Sequence, residues 1–291
     1  MTTDEAVTEP IGGPTARRMV LGGQLRRLRE AAGISREDAG YSIRASASKI
    51  SRLELGRVGF KRRDVTDLLS LYGVSDQAER NAFLIMAGES NQPGWWHRFG
   101  DVMPAWFSDY VGLEESAARL QTYEIYFVPG LLQTAQYARA VFRQGRPESD
   151  EEEIDRRTSL RLRRQQMFTQ RGTTRLWAVI DEGVLLRPIG GRAVLREQVE
   201  HLLEMTTLPN ISLQLVPFAL GGSAAEGAFT ILRFAESDLP DIVYLEHLCG
   251  AMYLDKADEV ELYTKVANRL AVDARSPEDT RKFLANQLKC L

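Results

Sequence analysis

The residues from Ser46 to Leu55 carry side chains suited to hydrogen-bonding the edges of nucleic-acid bases. If the stretch is helical, Ile50 and Leu53, three apart, face a core, which leaves Ala47, Ser48, Lys49, Ser51 and Arg52 on or near the outer side. Arg or Lys can bond two acceptors on guanine, Ser can bond base edges or a phosphate, and the Ala methyl suits a thymine methyl. Each good bidentate pair is worth about 1 to 3 kcal/mol of discrimination. Arg52 and Lys49 are the expected principal readers. The surrounding charge fits a polyanion: residues 15–65 hold thirteen Lys and Arg against five Asp and Glu, in a chain of 291 residues with net charge -3. One short basic module therefore rides on an acidic body.

Positioning these side chains requires short helices held close together. Leu21, Leu25, Leu28 and Ala32 follow helical spacing, with Gly33 placed for a left-handed C-cap. Ser35, followed by Asp38, caps a second helix running to about Ile43, and Ser46 caps a third that reaches about Leu55 before Gly56. Asp64–Tyr72 and Asp76–Ala87 read as a fourth and a fifth. Gly40 lies where the second helix must approach the third, and a side chain there would push them apart.

The segments Ile34-Ser35-Arg36-Glu37-Asp38 and Ser46 through Arg57 resemble the Xre, or lambda-repressor-like, helix-turn-helix family. More narrowly, Ser48 to Glu54, Trp95-Trp96, Pro129 to Thr134 and the Glu226 to Phe234 stretch resemble actinobacterial antitoxin-like transcriptional regulators of that superfamily. The resemblance implies a five-helix module that binds double-stranded DNA, then a large C-terminal domain of unassigned role, with a small protein as partner. One turn position that the family often fills with glycine is Arg44 here. Either Arg44 takes a left-handed conformation, at a cost of about 1 to 2 kcal/mol, or it adopts an ordinary one and reaches a phosphate, as Arg36 can. Such contacts add affinity without sequence information. The expected DNA-binding set is Arg36, Arg44, Ser46, Ala47, Ser48, Lys49, Ser51 and Arg52.

The chain is expected to divide into a tail (1–14), the helix-turn-helix domain (15–88), a linker (89–94) containing Pro93-Gly94, and an effector or dimerisation domain (95–291). Six aromatics from Trp95 to Tyr110 are expected to pack the linker onto that last domain. Helices are expected over Leu113 to about Phe127, Gln133–Phe142, Glu151–Gln170, Arg192–Met205, Lys256–Val272 and from Pro277 onward. Ser149 with Glu152 reads as the capping box of the long one. Its arginines (Arg156, Arg157, Arg161, Arg163, Arg164) read as structural, through pairs such as Glu152 with Arg156. Strands are expected over Arg175–Ile180, Ser212–Phe218, Phe229–Phe234, Ile242–Leu245 and Met252–Leu254, the last four as antiparallel neighbours joined by turns at Gly221-Gly222, Asp238–Asp241 and Cys249-Gly250. The fold class is therefore α+β, with helices around a mainly antiparallel sheet.

Other chemistry finds little support. His97, His201 and His247 are scattered, Cys249 and Cys290 lack metal-ligand spacing, and neither glycine pair, Gly190-Gly191 or Gly221-Gly222, continues into a phosphate-loop pattern. No catalysis, metal or cofactor is expected. No apolar run is long enough to span a membrane and the N-terminus lacks a signal-peptide pattern, so a cytoplasmic protein is expected. The expected partners are operator DNA, a second copy of the chain and a small basic or amphipathic protein, with small-molecule sensing by the C-terminal domain as the alternative.

Overall fold

The computed structural model describes residues 13–220, 227–236 and 239–291. The expected tail therefore lies outside the described residues except for Gly13 and Pro14, as do the Gly221-Gly222 turn and Asp238. The chain divides by its internal contacts between Trp95 and Trp96.

The first unit is five helices: α1 (Pro14–Ala31), α2 (Arg36–Ser42), α3 (Ala47–Glu54), α4 (Arg62–Leu71) and α5 (Gln77–Ser90). Helix α1 begins seven residues before the first periodic leucine. Pro14 occupies its first turn, where a missing N–H costs nothing, and Ala16 and Val20 are buried. Ser35, Ser46 and Asp76 cap their helices, accepting from the backbone N–H of Asp38, Lys49 and Glu79. Leu21, Leu25, Ile43, Ile50, Leu53, Val65, Leu68 and Phe83 form the shared core, each such side chain contributing about 1.5 to 3 kcal/mol on burial. Helix α5 continues through Gly88 to a buried Ser90, so the stretch 89–94 begins as packed helix. Just beyond it, the Asn91 amide accepts from Phe60 N–H (3.0 Å) and donates to Phe60 C=O (2.6 Å).

The second unit contains α6 (Ala105–Ser116), β1 (Arg119–Glu124), α7 (Ala135–Gly145), α8 (Glu151–Arg171), β2 (Arg175–Asp181), α9 (Gly183–Leu186), α10 (Arg192–Met205), β3 (Ile211–Val216), β4 (Phe229–Arg233), β5 (Ile242–His247), β6 (Gly250–Leu254), α11 (Ala257–Asp273) and α12 (Pro277–Cys290). The six strands form one sheet in the order β3-β2-β1-β4-β5-β6. β1, β2 and β3 run parallel, while β4, β5 and β6 attach antiparallel to β1 and to each other. The α+β class holds, with a correction: β3 is a parallel neighbour of β2, reached through the α10 crossover, and β4 returns beside β1.

The stretch expected as one helix from Leu113 to Phe127 is the end of α6 followed by β1. This central strand is buried on both faces over Leu120–Tyr123, so it lacks the alternation that marks a strand. Tyr123, Val179, Phe229, Ile231 and Val243 share a core with Ala267 and Leu270 of α11. Helix α7 starts at Ala135 with Thr134 as its cap, and α8 is capped by Asp150, one residue later than expected.

The α8 arginines are engaged within this unit. Arg156 bonds Asp101 at 2.8 Å where a Glu152 pair was expected, Arg157 bonds Glu153 at 2.6 Å, Arg161 bonds Gln133 Oε1 at 2.5 Å and Arg163 bonds Gln166 at 3.3 Å. Arg164 forms a buried fork with Glu114 (2.8 and 2.6 Å). Among the aromatics, Trp96, Phe99 and Tyr110 are buried and Trp96 Nε1 donates to Ser108 Oγ at 2.9 Å.

Candidate nucleic-acid interface

Helix α3 has one face in the core and one in solvent. Ile50 and Leu53 are 1% and 2% exposed, whereas Ser48 and Arg52 lie in solvent and Ala47 and Ser51 are half-buried. Ser46 spends its hydroxyl as the cap, accepting from Lys49 N–H at 3.2 Å. Lys49 does not project freely: its ammonium sits 2.6 Å from Asp64 Oδ2, a buried carboxylate on α4. The Arg52 guanidinium makes no hydrogen bond or ion pair among the described residues, and it is the one cation on the exposed edge of α3 left open to an external acceptor.

Glu54, at the inner end of the same helix, organises the module. Its carboxylate takes a fork from Arg29 of α1 (2.5 and 3.2 Å) and a third bond from Arg36 Nε of α2 (3.1 Å). The bond to Glu54 holds the Arg29 guanidinium above its ordinary pKa. Three helices thus meet on one buried carboxylate. Arg36 therefore braces α2 onto α3 while its 41% exposed side chain still reaches solvent.

The turn between α2 and α3 keeps the geometry the family's glycine would supply. Arg44 has φ +55°, the only non-glycine residue with positive φ among those described, so the left-handed alternative is realised and the ordinary one is not. The turn closes through Ala45 N–H to Gly40 C=O at 2.8 Å, and a Cβ on Gly40 would come within 2.7 Å of Ala45 O. Sequence reasoning missed an equivalent close approach at Gly22, where a Cβ would lie 2.6 Å from Glu54 O, so α1 can sit against the end of α3. Only the mid-helix pair Gly22-Gly23 hinted at it. Gly56 (φ +64°) then lets the chain pass Met19.

The same reasoning also missed Arg57, Lys61 and Arg62. With Arg44 and Arg52 they form a set of exposed cations lacking any side-chain partner among the described residues. Helix α4 has no side-chain cap at Lys61, so its first backbone N–H groups are open beside these charges. The run of basic residues right after Gly56 was the available signal.

Elsewhere, no group of three or more His, Cys, Asp or Glu is placed to hold a metal among the described residues. Burial pushes the His201 imidazole below its usual pKa. His97 and His247 are exposed, and Cys249 and Cys290 are exposed free thiols. No described helix is long and apolar enough to cross a membrane.

A capped α3 packed at its turn against α2, with its outer edge open and cations before and after it, defines a helix-turn-helix DNA-binding regulator. A Helix-turn-helix domain model matches residues 20–83, in agreement. Residues 107–286 match the family described as Domain of unknown function (DUF5753), and the chain belongs to that family. No curated protein and no solved structure matches the chain.

Proposed function

We propose that the protein is a cytoplasmic, non-catalytic, sequence-specific transcriptional regulator of the Xre type, working as a two-fold dimer on paired half-sites. The observation that carries this reading is the outer edge of α3, where Arg52 is exposed and unpaired while Ile50 and Leu53 fix its orientation from inside. In this reading Ala47, Ser48, Ser51 and Arg52 meet bases, and Arg44, Arg57, Lys61 and Arg62 meet phosphates. Lys49 and Ser46 hold the helix in place. One module reads a short half-site, so two-fold pairing about 10 base pairs apart, or a multiple, follows from the geometry of the duplex.

The second unit is proposed to receive the controlling partner. Outside residues 15–65 the chain carries about eleven net negative charges, which favours a small basic or amphipathic protein, the arrangement of an antitoxin-like regulator. The test uses a duplex selected from a random library by the purified chain. Arg52→Ala is expected to lose about 5- to 150-fold on that duplex and far less on unrelated DNA. Equal losses on both would rule out base reading by Arg52.

A further inference from the structure

We infer that the outer edge of β6 pairs antiparallel with β6 of a second copy of this chain, across a two-fold axis at Met252. The inference rests on the two-fold pairing proposed above and supplies its interface. The two edges of the sheet differ in what closes them. At β3 the chain seals itself: Arg275 N–H donates to Leu215 C=O at 2.8 Å, Leu215 N–H donates to Thr280 Oγ1 at 3.2 Å, and Leu213, Leu215 and Val216 are buried. β6 bonds β5 over the register from Val243 with Leu254 to His247 with Gly250. Among the described residues no backbone group of Gly250–Leu254 bonds outside that ladder.

Folded monomers blunt such edges with charge, proline or a bulge. This strand reads Gly-Ala-Met-Tyr-Leu, with none of these, and pairs with β5 residue for residue. Met252 at its centre is 47% exposed and Leu248 at the adjoining turn is 97% exposed. A second copy is the occupant that completes the edge, because an antiparallel ladder about a two-fold axis meets each open N–H and C=O with the same row reversed. Centred on Met252, it sets Gly250 against Leu254 of the partner subunit. Lys256 of the partner subunit, a largely exposed cation, then lies beside the β5–β6 turn.

Sedimentation of the full chain is expected to give twice 32.7 kDa, falling to a single-chain mass with circular dichroism retained for Ala251→Pro, whose N–H faces away from β5 because the two-residue turn makes His247 with Gly250, and hence Leu245 with Met252, the bonded pairs. Should that variant misfold, cross-linking decides. In a Cys249→Ser, Cys290→Ser chain, mild oxidation is expected to give a covalent dimer through Met252→Cys and none through Leu262→Cys, a more exposed site on α11. A single-chain mass for the parent, a folded Ala251→Pro that stays dimeric, or a dimer that does not cross-link through Met252→Cys overturns the proposal. Failure of the DNA reading registers separately, as unaltered operator preference in Arg52→Ala, and leaves the mass unchanged.

Discussion

Replacing Lys49 with Ala separates a brace from a base reader. The ammonium lies 2.6 Å from Asp64, whose side chain is 9% exposed, while Lys49 itself is 30% exposed. Removing one partner of a fully buried pair costs about 3 to 5 kcal/mol, because the remaining charge is stranded. Water reaches Lys49, so the cost here is discounted to about 1 to 3 kcal/mol. For a unit of this size each kcal/mol moves the melting temperature by roughly 4 to 8 °C. Calorimetry of the full chain should therefore show the corresponding unfolding component lowered by roughly 5 to 20 °C. Adding Asp64→Asn should recover part of that loss by removing the stranded charge, and the double-mutant cycle gives the coupling. Preference for the selected duplex over unrelated DNA should survive at temperatures where the variant is folded. If Lys49→Ala keeps its stability but loses that preference, Lys49 reads bases and the ion pair is incidental.

Arg44→Gly should remove the left-handed strain and stabilise the chain by about 1 kcal/mol. It should also flatten the plot of log affinity against log salt by about 0.9, one phosphate contact, measured by anisotropy titration. Gly22→Ala should destabilise by about 1 to 3 kcal/mol in urea titration, because its Cβ meets the backbone of Glu54 and not a side chain that can turn away. In the second unit, burial and then the charge of Glu246 push the Glu124 carboxyl up to about 8, against the pull of Arg161. The folded state thus holds a proton that the unfolded chain releases in the ordinary carboxylate range. Stability should be greatest at low pH with respect to this group, fall as pH rises towards 8, and level off above it. Glu124→Gln should flatten that slope in unfolding experiments between pH 5 and 9, and an unchanged slope would show that Glu124 does not titrate there.

The sequence by itself determined the helix-turn-helix. Its signals are local: Ser35 and Ser46 as caps, Ile50 and Leu53 at helical spacing, Gly40 at a close approach, and a basic run over an acidic remainder. Helix caps and periodicity act within one or two turns, so a single chain segment carries them. Tertiary structure decided which charges are free. Lys49 and Arg52 look alike in the sequence, and only Asp64, fifteen residues downstream of Lys49, takes one of them. Arg36 is likewise tied to Glu54 eighteen residues on, whereas Arg57, Lys61 and Arg62 remain open. The sheet was legible in its hydrophobic runs and in the antiparallel pairing of β4, β5 and β6, but not in its parallel half. β1, buried on both faces, gave no alternation to read, and without it the parallel run β1-β2-β3 could not be assembled. Strand order depends on partners distant in sequence, which no local pattern records.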